Sequence, residues 1–342
     1  MQVVTLSSRP DVLAETLTHL RHFLPWIDDV VVIAPEAQRA SFEKLVDSTV
    51  VSDEEISGLS TAELRGLDHM SRNFTLRGGL GRHDAVADQF LMADDDHRPL
   101  KAVDPSFFID GEGRHRGYFF YDLDEWPGTS TPFDDGQHHA RELLGYLGYD
   151  RLAYGSHMPQ MIRKEFLAEV WDLVARLTDT KSLCEWTMYF NAAQARHPDA
   201  FCDPEPFRTL AWPQYPNEWP WWVRPPEYVF ENFYPELYEA GRLFDGLPTA
   251  LETERTERVN VEKILRWSTL GRRIANLDFP DDIANPWTQD SRARRGAFKV
   301  LRRMRQAYGY LSMEDSARLT ELSGSVRRLE DEIRRLRADR SS

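Results

Sequence analysis

Cysteine is nearly absent: only Cys184 and Cys202 stand in 342 residues. Two thiols make neither a disulfide framework nor a four-cysteine zinc site, and they suit a reducing compartment. No stretch approaches the roughly 18 consecutive apolar residues of a membrane span. The start, Met1-Gln2-Val3-Val4-Thr5-Leu6, lacks the basic and long apolar segments of a secretory signal and reads as a strand. A soluble, cytoplasmic protein is expected. Positive charge is in deficit: 42 Lys and Arg face 56 Asp and Glu, a net charge of −14. Nucleic acid is excluded as a partner, because its affinity comes mainly from phosphate neutralisation by basic residues. Aromatic residues are plentiful at 12%, with 41% hydrophobic overall, which excludes global disorder. The length fits one large domain or two coupled ones.

The first third alternates strand and helix patterns. Gln2 to Leu6 is apolar and β-branched, and Ser7-Ser8-Arg9-Pro10 breaks it. Val12, Leu13, Leu17, Leu20 and Leu24 have helical spacing. Asp29 to Ala34 is a continuous apolar run ending at Pro35, as in strands covered on both faces of a parallel sheet. These three segments make a βαβ unit. Further strands are expected near Thr49-Val50-Val51, at Phe90-Leu91-Met92-Ala93 and over Gly117 to Tyr121, with helices near Leu59 to His69 and from Arg72 onwards. The fold class is α/β. Residues 126 to 139 are rich in turn formers and read as a mobile loop over a site, and 160 to 196 read as helices. Eight prolines between 204 and 235 forbid regular helix there and are interleaved with Trp212, Tyr215, Trp219, Trp221, Trp222, Tyr228, Phe230, Phe233 and Tyr234. These aromatics need either a core to enter or a ligand to stack on.

The end differs in charge. Arg292 to Arg305 holds seven basic and no acidic residues. A basic helix over 292 to 310 suits an anionic membrane surface or the protein's own acidic body. Leu319, Leu322, Val326, Leu329, Ile333 and Leu336 follow an a/d heptad pattern, which predicts a coiled coil joining copies of the chain.

Chemistry concentrates in Asp94-Asp95-Asp96-His97, at the end of the apolar run Phe90 to Ala93. Open α/β sheets bind ligands at the carboxyl ends of their strands. Carboxylates suit Mg²⁺ or Mn²⁺, which often bridge to substrate phosphates. Side chains alternate along an extended strand, so Asp94 and Asp96 can point the same way. An acidic turn capping the next element is the alternative reading.

The first 125 residues resemble nucleotide-sugar-dependent glycosyltransferases of the GT-A fold. Val3-Val4-Thr5-Leu6-Ser7-Ser8-Arg9-Pro10 is similar to that family's opening strand and nucleotide-contacting turn, and Val30 to Ala34 to its second strand. Ser71-Arg72-Asn73 and Arg77 resemble its Arg-Asn helix, and Asp94-Asp95-Asp96 its DxD metal motif. Where many relatives carry an acidic residue after the second strand, Pro35-Glu36 stands here. The resemblance implies a GT-A-like mixed sheet flanked by helices, with Asp94 and Asp96 holding Mn²⁺ or Mg²⁺ against the diphosphate of the donor. It implies donor contacts from Thr5, Ser7, Arg9, Arg72, Asn73, Arg77, Asp94 and Asp95. The donor is expected to be a nucleotide sugar, UDP-linked by preference, and the acceptor a glycan or lipid-linked.

Glu185, between Leu183 and Trp186, is the expected general base, since an apolar setting raises a carboxyl's proton affinity. It lies 89 residues past Asp96, a spacing that the family's base also shows. A buried Glu paired to an arginine is the alternative. Asp122 and Asp124 are the other candidate carboxylates. His157, in Ala153-Tyr154-Gly155-Ser156-His157-Met158-Pro159, is a candidate for acceptor or metal, or else a packed or capping histidine. This His-Met-Pro piece also resembles the Stealth sugar-phosphate transferases.

The expected organisation is a nucleotide-sugar-binding half over 1–125 and an acceptor-binding, catalytic half over 126–250 of one domain. A helical region follows over 251–310, and the coiled-coil tail over 311–342 completes the chain. Two other readings stay open: a phosphotransferase on the same acidic site, and a non-catalytic carbohydrate-binding oligomer. The protein is expected in the cytoplasm, with peripheral contact at the inner face of the membrane through the basic helix.

Overall fold

The structure, a computed structural model, describes residues 1–275 apart from 46–48, 127–130, 156, 179–181, 208, 211–227, 241–242 and 254. The basic helix expected over 292–310, the heptads from Leu319 and the aromatics Trp212 to Trp222 lie outside the described residues. The chain divides into two units, Met1–Ala211 with Pro225–Arg266 and Trp212–Arg224 with Trp267–Ser342.

The strands in chain order are β1 (Gln2–Leu6), β2 (Asp29–Ala34), β3 (Thr49–Ser52), β4 (Gln89–Asp94), β5 (His97–Pro99) and β6 (Tyr118–Phe119). They continue with β7 (Tyr121–Asp122), β8 (Leu152–Ala153), β9 (Gln160–Arg163), β10 (Glu205–Pro206), β11 (Thr209–Leu210) and β12 (Phe230–Asn232). The helices are α1 (Pro10–Phe23), α2 (Arg39–Glu43), α3 (Asp53–Ser57), α4 (Thr61–Gly66) and α5 (His69–Leu80). After them come α6 (Pro132–Leu147), α7 (Lys164–Leu177), α8 (Glu185–Arg196) and α9 (Thr256–Ala275). Among the described residues no helix is long and apolar enough to cross a membrane.

The main sheet has the order β3-β2-β1-β4-β9. Its first four strands are parallel and β9 runs antiparallel to β4. The runs Val30 to Ala34 and Phe90 to Ala93 are buried because helices and loops cover both faces of this sheet. Leu13, Leu17, Leu20 and Leu24 of α1 and its end pack on Val3, Val32, Leu91 and Ala93. Burying each such side chain is worth about 1.5–3 kcal/mol. Pro10 at the first turn starts α1 where its missing N–H costs nothing. The helices α5, α6, α7 and α8 pack on one another. α8 is buried on nearly every side from Glu185 to Ala193, its polar Thr187 and Asn191 satisfied by Gln137 and the Leu152 carbonyl. A second sheet, β11-β12-β5, takes up the chain directly after the acidic triplet.

Three expectations change. The segment over 126–139 is not a loop throughout, because α6 begins at Pro132. Thr131 caps it in a reciprocal box with Asp134, and Pro132 occupies the first turn, so these two turn formers are a helix start. Residues 160–196 are not all helical: Gln160–Arg163 is a strand whose buried Met161 and Ile162 pair with Leu91 and Phe90. A run this short has no readable period of its own. Gly117 to Tyr121 is not one strand but the two-residue pieces β6 and β7, paired with different partners.

Candidate active site

The parallel register places Leu6 beside Asp94, so the β1–α1 turn lies next to the acidic triplet. Ser7 Oγ donates to Asp95 Oδ2 at 2.7 Å. Arg9 reaches the same carboxylate through Nε at 3.2 Å and binds its other oxygen through Nη2, which also donates to Asp96 Oδ2 at 2.9 Å. Thr16 Oγ1 of α1 donates to the Asp95 carbonyl at 2.6 Å. The backbone N–H of Phe233, one residue past β12, donates to the Asp96 carbonyl at 2.5 Å. The acidic loop is thus tied from both sides through its own backbone.

The antiparallel pairing Met92 with Gln160 makes the chain before β9 run past the end of β4. It carries His157 there. His157 Nδ1 lies 2.7 Å from Asp94 Oδ2 and 3.6 Å from Asp96 Oδ1. Its φ is 60°, the one positive value of a non-glycine among the described residues. Backbone in that region is sparsely populated and persists where surrounding structure requires it. Gly155, two residues before, is closely packed: a Cβ there would stand 3.0 Å from Cys184 Sγ and 3.3 Å from Phe133 Cε2.

Asp94 and Asp96 face His157, Asp95 faces Ser7 and Arg9, and Arg9 also bridges to Asp96 across the turn between β4 and β5. Behind Asp94 lies Arg77 of α5, whose Nη2 donates to Asp94 Oδ1 at 2.7 Å. Its Nη1 is paired with Glu185 at the start of α8. The guanidinium also sits 4.5 Å from the Trp186 ring centroid, a cation–π contact. Glu185 is therefore the buried, arginine-paired carboxylate of the alternative reading, and its Oε2 makes no hydrogen bond.

The electrostatics follow from these contacts. Burial pushes the Asp94 carboxyl up, but the charges of Arg77 and His157 prevail and hold it well below the usual range. Burial raises Asp95 despite its bonds to Arg9 and Ser7. Asp96 is lowered, its burial outweighed by His157. His157 loses some basicity to burial and gains more from Asp94 and Asp96, so it is raised well above its ordinary value.

Asp94, Asp96 and His157 each present one ligand atom, all within 4.8 Å of one another. Asp96 Oδ1 is buried without a hydrogen bond, 3.6 Å from His157 Nδ1. With the His157 ring neutral, two carboxylates and an imidazole are a donor set that fits Mn²⁺, and the carboxylates also suit Mg²⁺.

The other sequence candidates sit elsewhere. Thr5 is enclosed within the main sheet with its hydroxyl unpaired. Arg72 pairs with the buried Asp53 at the start of α3, and Asn73 meets His69 one turn away at 3.2 Å. Asp122 caps the short 3₁₀ turn Leu123–Glu125, accepting from the Asp124 N–H at 3.0 Å. Asp124 is paired with Arg141 at 3.4 Å and Arg151 at 2.8 Å.

Sequence reasoning missed several residues around the site. Tyr234 lies within the electrostatic reach of Asp94, Asp95, Asp96 and Arg9, and burial first, then Asp96, raises its phenol well above the ordinary value. Its signal was its place in the aromatic segment. Arg98, Glu231 and Lys263 form an ionic cluster, with Glu231 Oε1 accepting from Arg98 Nε and Lys263 Nζ at 2.8 Å each. Burial would raise Glu231, but Lys263 and Arg98 hold it down at about 2. Three isolated charges far apart in sequence gave no sign of meeting.

No family model matches the chain, and no curated protein matches it. Solved glycosyltransferase structures are similar to it. The galactosyltransferase LgtC, in complex with donor and acceptor sugar analogues, is similar over 76% of this chain and 95% of its own, at 13% identity and a TM-score of 0.42. An active-site mutant of LgtC is similar over the same shares, at 13% identity and 0.41. Mouse xyloside xylosyltransferase 1 in its apo form is similar over 63% of this chain and 89% of its own, at 10% identity and 0.35.

Proposed function

We propose that the chain is a metal-dependent glycosyltransferase that moves a sugar from a nucleotide-sugar donor, UDP-linked by preference, to a glycan or lipid-linked acceptor. The observation that carries this reading is the convergence of Asp94, Asp96 and His157 at the carboxyl edge of a parallel sheet, with Ser7 and Arg9 beside them. A bound Mn²⁺ or Mg²⁺ would supply positive charge for the diphosphate leaving group. Asp94, Asp96 and His157 would hold it. Arg9 is half exposed at the mouth, and its planar fork suits phosphate oxygens. Arg77 fixes the direction of Asp94 from behind, and Glu185 holds Arg77 in place. A carboxylate already paired with a guanidinium accepts a proton poorly, so Glu185 serves here as a tether.

A thermal-shift screen of nucleotide sugars with and without Mn²⁺ tests the reading. Metal-dependent stabilisation by one donor, followed by release of nucleoside diphosphate, supports it. A non-catalytic carbohydrate-binding protein would show no metal-dependent donor binding and no turnover.

One observation favours a second reading. The His-Met-Pro piece that resembles Stealth sugar-phosphate transferases sits directly on the acidic motif. A sugar-phosphate transfer at this site would release nucleoside monophosphate instead, so the identity of the released nucleotide decides.

The same proposal includes a cytoplasmic location, peripheral membrane contact through the basic stretch over 292–310 and self-association through the heptads from Leu319. Removal of residues 315–342 should lower the number of chains per particle found by light scattering, and an unchanged number would sink the oligomer.

A further inference from the structure

The ladder between β5 and β12 runs Phe230 with Pro99, Glu231 with Arg98 and Asn232 with His97, and its next rung is the Phe233 N–H on the Asp96 carbonyl. β12 therefore acts as a splint along the outgoing limb of the acidic loop. Hydrogen bonding within the ladder does not by itself choose this register, since a slip by two residues would preserve the faces of all side chains. The cross-strand pair Arg98–Glu231 does choose it, because only this register joins the two charges.

Glu231 and Arg98 are almost wholly enclosed, and so is Lys263, which arrives from α9. Arg98 also donates to Tyr238 Oη at 2.8 Å and the Thr249 carbonyl at 2.6 Å, and its guanidinium lies 3.9 Å from the centroid of the Phe233 ring. The ring stacked on Arg98 belongs to the residue whose N–H holds Asp96. An enclosed ionic cluster is a poor source of stability compared with apolar packing, but it imposes one geometry.

We infer that Arg98, Glu231 and Lys263 are positioning residues: from α9 they lock β12 in register, and through the Phe233 N–H they fix the backbone of Asp96 in the acidic site. The inference rests on the metal reading only where it concerns metal affinity. Asp94 has its own support in Arg77, so disturbing the cluster should loosen one of the two carboxylates and leave the other in place.

The test uses the full chain and three variants. Lys263→Met leaves Glu231 with one cation. Tyr238→Phe removes only the hydroxyl that Arg98 donates to, and serves if Lys263→Met fails to fold. Phe42→Leu trims the buried Phe42 of α2, away from the acidic loop, and gives a destabilised control. Two quantities are measured: Mn²⁺ affinity by calorimetry without donor, and hydrogen exchange at the Phe233 amide. Lys263→Met should weaken Mn²⁺ binding at least about tenfold, as loss of an outer-shell support does. It should also speed exchange at Phe233 by at least about tenfold while β1 and β4 amides stay protected. Tyr238→Phe should move both in the same direction by about threefold. Phe42→Leu should lower the melting temperature and move neither. The inference is overturned if Lys263→Met behaves like Phe42→Leu, or if Phe42→Leu moves both quantities as far. If the unaltered protein binds no Mn²⁺, the metal reading fails, and exchange at Phe233 alone decides whether the cluster positions Asp96.

Discussion

Two arginines divide the acidic triplet between them, Arg77 at Asp94 and Arg9 at Asp95 and Asp96, and their surroundings differ. Arg77 stands in the wall behind the acidic loop with 7% of its side chain exposed, locked between Asp94 and Glu185. Arg9 stands at the mouth with 45% exposed, spanning Asp95 and Asp96. A buried ion pair is costly to break because each partner is left charged and unsolvated, whereas an exposed one exchanges its partner for water or ligand at little cost. The wall sets geometry, and the mouth is free to trade carboxylate for substrate oxygen.

The largest expected effect comes from removing what both sides serve. Asp96→Ala or Asp94→Ala should abolish metal-dependent donor binding and lower turnover at least about a hundredfold, since metal assistance is worth several kcal/mol. The fold should persist, because the core lies in the sheet and α1. Circular dichroism with calorimetric Mn²⁺ titration checks this, and unchanged turnover in both variants removes the metal role.

Next comes the wall. Arg77→Met leaves Asp94 and Glu185 enclosed without their cation and should cost about 3–5 kcal/mol of stability in chemical denaturation. Glu185→Gln keeps a hydrogen-bonding oxygen for Arg77, so turnover should fall by less than about tenfold, short of the range for general-base loss. A hundredfold loss of kcat with normal donor affinity would restore Glu185 as the base.

Protons probe the buried framework further. Burial holds His19 at about 3 and His115 at about 4, well under the ordinary imidazole value. Between pH 6.5 and 4 the unfolded chain therefore takes up protons that the folded chain refuses, and stability falls as pH drops through that window. The loss should be on the order of a few kcal/mol by pH 4. A flat stability curve from pH 7 to 4.5 would show that these rings accept protons in place.

How much of this was legible depended on how local the signal was. β1, α1, β2 and β4 announce themselves because a strand buried on both faces is a continuous apolar run and α1 repeats its leucines at helical spacing. The acidic triplet is legible for the same reason: it stands where such a run stops. His157 was readable only as a candidate, because its meeting with Asp94 depends on the four-residue β9 closing the sheet edge. Glu185 and Arg77 were each visible, but their pairing across 108 residues was not. The cluster of Arg98, Glu231 and Lys263 left no trace at all, since a lone charge in a sequence reads as surface.

The smallest effect is expected at the mouth, and it is the sharpest test of the contrast. Arg9→Ala removes a half-exposed cation from the buried Asp95 and Asp96, so stability should fall, but by less than on loss of the wholly enclosed Arg77. Ser7 still holds Asp95, and Phe233 still holds the loop backbone, so the carboxylates should keep their places and Mn²⁺ should bind at least as well as before. Donor affinity should nevertheless fall about tenfold, because a charge-assisted contact to a phosphate oxygen is worth roughly 1.5–3 kcal/mol and water recovers part of it. Calorimetric titrations of Mn²⁺ and then of donor separate these effects. A variant that binds metal normally and donor weakly assigns Arg9 to the substrate. A variant that loses metal and stability together would make Arg9 a structural member like Arg77, and the division between wall and mouth would fall.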